Sequence, residues 1–367
     1  MEKAVDLAYE QYLRHLREKF KLKLCFSPVV KEAVLWHKEG DRIRCDLCGR
    51  RCLIPDKALG ACLVRKNIDG KLYSLNYGKL IALHVDPIEK KPLFHFLPGN
   101  FTFSIASAGC NFACRFCCNY DISQVYRDRR LEHVVGDEYS PSDVVEQAVS
   151  ENCRIISYTY TEPTIFFEFA YDTAKIAHEK GVKNTFVTNG YMTPEAVKMI
   201  APYLDATTVD FKCSGDQDCY RKIIGVPDVA PIYECLLEMK RQNIFIEITN
   251  LVIPGFDDNM ASFRNLVRWI KDNLGDETPL HILRFFPTYR FSDIPDTPLE
   301  SLRKAYEIAR KEGMKFVYLG NVPGQGENTY CPSCGELLIE RFGLMMSRNR
   351  LKGDRCPKCG AKIPIVI

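Results

Sequence analysis

Three cysteines carry the strongest chemical signal in this chain. Cys110, Cys114 and Cys117 stand in a C-x₃-C-x₂-C spacing within Gly109-Cys110-Asn111-Phe112-Ala113-Cys114-Arg115-Phe116-Cys117. A loop this short wraps three thiolates around one small inorganic group. Four thiolates would close a [4Fe–4S] cluster. Three leave one iron without a protein ligand, and an open coordination position is what a catalytic metal needs. The spacing therefore predicts an open-site iron–sulfur cluster. A zinc ion with a borrowed fourth ligand is the competing reading.

Two further cysteine groups have metal-ligand spacing. Cys45-Asp46-Leu47-Cys48 is a knuckle that aims two sulfurs at one metal, and Cys52 and Cys62 complete a four-sulfur cage. With zinc it is a structural staple; with iron and sulfide it is an auxiliary cluster. The spacing leaves both open, and a closed site apart from the main domain suits zinc. Near the C-terminus, Cys331-Pro332-Ser333-Cys334 and Cys356-Pro357-Lys358-Cys359 are paired knuckles, each followed by glycine. They predict a zinc ribbon, with a single rubredoxin-like iron as the alternative, and the stretch between them suits a short hairpin. These groups explain eleven of 17 cysteines. Cys25, Cys118, Cys153, Cys213, Cys219 and Cys235 are expected to be small buried hydrophobes, because many cysteines in a reducing compartment imply metal rather than disulfides.

The elements that position these loops follow from periodicity. From Phe101 to about Tyr318, strand-like runs beginning near Phe101, Arg154, Asn184, Ala206, Phe245, Leu280 and Phe316 alternate with helical patterns. Ser140-Pro141-Ser142-Asp143 and Thr193-Pro194-Glu195 are helix starts, and Asp257-Asp258-Asn259 is a further cap. Repeated βα units imply a parallel sheet, and about six of them a partial (βα)6 TIM-type barrel in an α/β chain. We expect an N-terminal Cys-rich module over 1–98, the barrel over 99–322 and a zinc-ribbon-like module over 323–367. Residues 2–20 have amphipathic helical spacing, and Lys71–Val85 is expected to be a hairpin turning near Gly78-Lys79.

In such a barrel, chemistry sits at the C-terminal ends of strands. The cysteine loop follows the first strand. Thr161-Glu162-Pro163 follows the second, where Glu162 can accept a hydrogen bond from an ammonium group. Val187-Thr188-Asn189-Gly190 follows the third. Asp210-Phe211-Lys212 ends the fourth, where alternation puts Asp210 and Lys212 on one face. On the sixth strand His281 and Arg284 fall on opposite faces. Asp86, Lys90, Lys91 and His95 form a polar cluster before the first strand, either a wall of the site or a solvated loop with Leu93, Phe94 and Phe96 tucked in.

The cysteine spacing, with Phe116 just before the last cysteine, resembles the radical SAM enzymes. The resemblance implies that Cys110, Cys114 and Cys117 hold [4Fe–4S] and that S-adenosylmethionine (SAM) chelates the fourth iron. It implies that the Phe116 backbone lies near the adenine, and that Glu162 takes the place of the glutamate that holds the SAM amino group. Thr188 and Asn189 resemble the Thr-Asn-Gly segment bordering SAM, and Asp210 and Lys212 an Asp-x-Lys segment, in enzymes that activate glycyl radical proteins. Val187 replaces a cation-binding aspartate, so no cation site is carried over. Asp86-Pro87-Ile88-Glu89-Lys90-Lys91-Pro92, Phe94-His95-Phe96-Leu97-Pro98-Gly99 and the terminal Cys₄ module extend the likeness to the AmmeMemoRadiSam-system radical SAM enzymes, relatives of pyruvate formate-lyase activating enzymes. Cys118 departs from that pattern, which has glutamine there.

Composition narrows the partners. Net charge is +3, which gives no footprint for nucleic acid or a membrane surface. No run of about eighteen apolar residues is present, and the charged start of the chain lacks a secretory core, so a cytoplasmic enzyme is expected. Its partners would be a protein or small-molecule substrate and an electron donor such as ferredoxin or flavodoxin. The competing class is a non-catalytic multi-metal scaffold for electron transfer or docking.

Overall fold

The computed structural model describes residues 30–129, 134–256 and 260–367. The expected helix over 2–20, Cys25 and the cap at Asp257-Asp258-Asn259 lie outside the described residues. Residues 31–367 form one compact unit.

Its centre is an eight-stranded sheet. The strands are β1 (Ala82–Pro87), β2 (Phe101–Ala106), β3 (Ile155–Tyr158), β4 (Lys183–Thr188), β5 (Ala206–Lys212), β6 (Phe245–Val252), β7 (Leu280–Arg284) and β8 (Val317–Gly320). They lie in sequence order, with β1 antiparallel to β2 and every other neighbour parallel. Between them run α1 (Pro141–Ser150), α2 (Phe167–Glu179), α3 (Pro194–Ile200), α4 (Ala230–Arg241), α5 (Ala261–Asn273) and α6 (Leu299–Lys311). The expected six βα units are present, and β8 adds a seventh parallel strand. The sheet stays open between β1 and β8, which is the partial barrel.

Local sequence explains the helices. Ser140 and Asp143 form a reciprocal capping box on α1, and Thr193 caps α3, each with proline in the first turn. α5 buries Phe263, Leu266, Val267 and Ile270, the i, i+3, i+4, i+7 stripe that packs a helix onto a sheet.

The hairpin expected over Lys71–Val85 is replaced by two other pairings. Arg65–Ile68 pairs with Lys71–Ser74 through the turn Asp69-Gly70, where both residues have positive φ (51° and 76°). Asp-Gly is the residue pair that such tight turns favour. Residues from Ala82 onward instead form β1 on the barrel edge.

The segment after β1 enters the barrel. Leu93, Phe94 and Phe96 are buried, and the Thr208 hydroxyl donates to the Lys91 carbonyl at 2.6 Å. Glu247, fully buried, accepts from the His95 backbone N–H and the His281 Nε2, each at 2.7 Å. His95 Nδ1 lies 2.9 Å from the Pro364 carbonyl, and its Nε2 2.6 Å from the Tyr318 hydroxyl. A neutral ring with its proton on Nδ1 satisfies both partners.

Burial pushes the His95 pKa down to about 4, with Glu247 pulling the other way. The folded value is depressed, so on acidification the unfolded chain takes the proton first. This contribution is intact above about pH 6.5 and is lost progressively toward pH 4, a loss of about 3 kcal/mol. Denaturant midpoints at pH 7 and pH 4.5 should therefore differ less in His95→Gln than in the wild type; equal differences would clear His95 of the effect.

Candidate functional site

The cysteine loop leaves β2 and is pinned on several sides. The Gly109 N–H donates to the Ile122 carbonyl (2.9 Å), the Ala113 N–H to Ile224 (2.9 Å) and the Arg115 N–H to Ile223 (3.2 Å). Cys117 Sγ lies 3.1 Å from the Ser123 hydroxyl. Arg127 Nη2 donates to the Cys110 carbonyl at 3.0 Å. All three sulfurs face a cavity of about 830 Å³ at the C-terminal ends of the strands, within the size range of ligand pockets. Burial raises all three thiols, Cys114 to about 12. Cluster insertion must therefore displace their protons.

Asp210 and Lys212 both line the cavity, as the alternation of β5 predicts. Their side chains lie 3.6 Å apart, and the Thr249 hydroxyl donates to Asp210 at 2.5 Å. Burial opposes charge on Lys212, but Asp210 and the three cysteine sulfurs outweigh it and raise its pKa. The result is a partly buried cation facing the three cysteine ligands, which suits an anionic metal–thiolate group. Phe116 is on the cavity wall, its ring packed near Phe285 and Phe291.

Thr188 and Asn189 also reach the cavity. Glu162 stands behind them. Its carboxylate accepts from the Thr164 N–H (3.1 Å) and hydroxyl (2.5 Å), the Thr188 hydroxyl (2.8 Å) and the Asn189 N–H (2.8 Å). It is fully buried, and burial raises its pKa against those bonds. In this structure Glu162 positions the Thr-Asn-Gly segment. Gly190 completes that turn at φ 70°, where a Cβ would stand 2.7 Å from Val209 Cγ1.

The polar cluster before β2 divides. Lys90 and Lys91 line the cavity and clamp Asp86 at 2.8 and 2.7 Å, with the Tyr160 hydroxyl also donating to Asp86. His95 belongs to the barrel interior. His281 is on the cavity wall, backed by Glu247. Arg284 is turned away, as the strand alternation requires; it pairs with Asp296 and donates to the Thr297 carbonyl at 2.9 Å, fastening the loop before α6.

Glu327, Gly343 and Leu344 complete the cavity rim from the C-terminal module. No sequence signal marks them, because their place depends on how that module docks. Arg341 does the docking. Fully buried, it donates to the carbonyls of Phe94 (2.7 Å) and Glu327 (3.1 Å) and to Thr329 Oγ1 (2.8 Å).

The terminal knuckles come together as expected. The sulfurs of Cys331, Cys334, Cys356 and Cys359 lie within 4.8 Å of one another, with the hairpin Leu337–Phe342/Met345–Asn349 between them. Cys45, Cys48, Cys52 and Cys62 surround a small cavity beside the barrel. Cys153 and Cys235 are buried free thiols as expected, whereas Cys118, expected to be buried, is exposed and lines the main cavity beside Cys117. Cys213 and Cys219, expected as isolated thiols, form a disulfide. The turn at Cys213–Gly215 folds the chain back, bringing their Cα atoms to 6.3 Å across six residues.

A parallel barrel with three cysteines after its first strand defines a class, and the comparisons identify it. The radical SAM superfamily profile matches residues 104–270. The chain is 44% identical over 342 residues to an uncharacterized protein of Methanocaldococcus jannaschii (MJ0808), covering 92% of this chain and 100% of that one. A second protein of that organism (MJ0674) is 24% identical, covering 75% of this chain and 76% of that one. Among solved structures, a radical SAM methyltransferase from Sphaerobacter thermophilus aligns at 16% identity and TM-score 0.45, covering 64% of this chain and 70% of that one. A domain of a pyruvate-formate lyase-activating enzyme from Bacteroides vulgatus aligns at 15% identity and TM-score 0.40, covering 45% and 98%. The chain belongs to the radical SAM superfamily, whose chemistry is radical cleavage of SAM at a [4Fe–4S] cluster.

Proposed function

We propose that this chain generates a substrate radical by hydrogen abstraction, with Cys110, Cys114 and Cys117 as cluster ligands and the wall formed by Phe116, Thr188, Asn189, Asp210 and Lys212 as the SAM site. The observation that carries this reading is the cavity itself. It brings three open-facing thiols, the partly buried Lys212 ammonium and the Thr188–Asn189 turn together at the strand ends. Cys110, Cys114 and Cys117 would hold the cluster, which with SAM bound beside it would supply one-electron cleavage of SAM and hydrogen abstraction from the substrate. The protein's part is to orient the bound groups and exclude water.

The substrate we favour is a glycine in a polypeptide segment, as in an activating enzyme. Support comes from the rim. Leu344 forms part of it, and the neighbouring Phe342 and Met345 are exposed (71% and 51%), an apolar edge beside the cavity mouth. A small ferredoxin- or flavodoxin-type carrier is the donor, and the cytoplasm is the compartment that keeps these thiols available. No helix among the described residues is long and apolar enough to cross a membrane. For the C-terminal four cysteines we propose zinc. The sulfurs of Cys331 and Cys359 are 3.6 Å apart and those of Cys334 and Cys356 3.7 Å. Tetrahedral zinc with bonds of about 2.3 Å sets its sulfurs about 3.8 Å apart.

The test is 5′-deoxyadenosine production by anaerobically reduced protein supplied with SAM; none would refute the reading. Glu162→Ala supplies a second check. Removing the acceptor of four hydrogen bonds frees the Thr188–Asn189 turn, so SAM binding should weaken at least about tenfold, about 1.4 kcal/mol. An unchanged affinity would mean that the Glu162 bonds do not position the SAM wall, whereas no measurable SAM binding by the wild type would favour a non-catalytic scaffold.

A further inference from the structure

We propose that Cys45, Cys48, Cys52 and Cys62 hold a second [4Fe–4S] cluster rather than zinc. The argument is one of size. The C-terminal cysteines have the spacing that a single zinc ion needs, with facing sulfurs 3.6 and 3.7 Å apart. Among the described residues that group alone gathers three or more metal-ligating side chains within 4.8 Å of one another. No three of Cys45, Cys48, Cys52 and Cys62 are so close. Cys110, Cys114 and Cys117 are not either. A single zinc draws its sulfurs to about 3.8 Å. A cubane places each thiolate on a different iron, so the sulfurs stand apart by the size of the cluster between them. The N-terminal four therefore have the open spacing of the radical-site cysteines.

The four cysteines surround a small cavity that Leu47, Ile54 and Ile165 also line. The Ala61 N–H donates to Cys52 Sγ at 3.5 Å. The Arg65 guanidinium, fully buried, lines the same cavity. Its Nη1 is 3.8 Å from Cys45 Sγ, and its Nε has no hydrogen-bond partner. Charge alone does not choose the metal, since a Zn–Cys₄ site and an oxidised [4Fe–4S]–Cys₄ site both carry a net charge of about −2. The buried Arg65 cation shows that an anionic centre is accommodated; the sulfur spacing assigns its size.

The position gives this cluster a use. Arg127 Nη2 donates both to the Ala61 carbonyl (2.7 Å), next to Cys62, and to the Cys110 carbonyl (3.0 Å). Arg50 reaches the Asn111 carbonyl at 2.5 Å, and Asn111 itself lines the N-terminal cavity. The second cluster thus lies one guanidinium from the backbone that carries the first, a placement for a one-electron centre rather than for a remote staple.

The test does not depend on SAM chemistry. The variant lacking Cys110, Cys114 and Cys117 (each →Ala), purified anaerobically and reconstituted with iron and sulfide, should retain about four irons and four sulfides per chain. It should keep the broad visible absorption of a cluster and give an EPR signal on dithionite reduction that SAM does not alter. Zinc should be about one per chain, at the C-terminal cage. As a second measurement, Cys45→Ala/Cys62→Ala should lower the iron of the otherwise intact protein by half and leave zinc unchanged. Two zincs and no iron in the triple variant, or no second metal centre at all, would overturn the proposal, whichever way the 5′-deoxyadenosine assay falls.

Discussion

Cys114→Ala abolishes 5′-deoxyadenosine formation. The expected loss is at least about 10³-fold, about 4 kcal/mol of barrier. The size follows from the count of ligands. Three thiolates already leave one iron free for SAM, and among the described residues the one further cysteine on the cavity wall is Cys118, the immediate neighbour of Cys117. Adjacent residues do not reach two corners of one cluster, so Cys118 does not take over. Cys118→Ala should accordingly keep activity within about twofold of the wild type, a change of under about 0.5 kcal/mol. The pair of variants, compared by iron content and by anaerobic product assay, separates ligand from neighbour. Equal loss in both would mean that the ligand set is misassigned.

The sequence made the site's parts legible where chemistry is local. The cysteine loop, the Thr-Asn-Gly turn and the alternation that aims Asp210 and Lys212 inward each depend on a few adjacent residues, and all of them reach the cavity. The order of strands was legible for the same reason: hydrophobic runs alternate with capped helices. What escaped depends on distant pairings. Arg341 meets Phe94 across 247 positions, and Leu344 joins the rim only because of that contact. The disulfide between Cys213 and Cys219 needs a turn with positive φ at Cys213, Ser214 and Gly215, which side-chain types there do not announce. One miss was avoidable. Asp69-Gly70 between Ile68 and Lys71 is the stronger hairpin signal than Gly78-Lys79, and the chain turns there. Glu162 shows the opposite case. It lies after the strand as expected, but strand-end placement does not tell whether a carboxylate faces the cavity or is used up behind it, as Glu162 is.

The largest stability effect is expected at Glu168. Its carboxylate is paired with the Arg65 guanidinium, and both side chains are almost wholly buried (1% and 2% exposed). The same carboxylate accepts the Val34 N–H at 2.8 Å. Glu168→Leu strands a buried guanidinium that no water can reach, and breaking such a pair from one side costs about 3–5 kcal/mol. Removing both partners leaves no orphaned charge, so Arg65→Met/Glu168→Leu should recover at least half of that loss. Denaturant midpoints of the two variants, taken anaerobically on metal-loaded protein, decide it. The double variant also probes the N-terminal metal centre, because Arg65 is the cation beside Cys45. Recovery of stability together with weaker iron retention would mean that the arginine's charge serves the metal centre more than the fold. If the double variant is as unstable as the single, the ion pair is not what Glu168 supplies, and its bond to Val34 carries the cost.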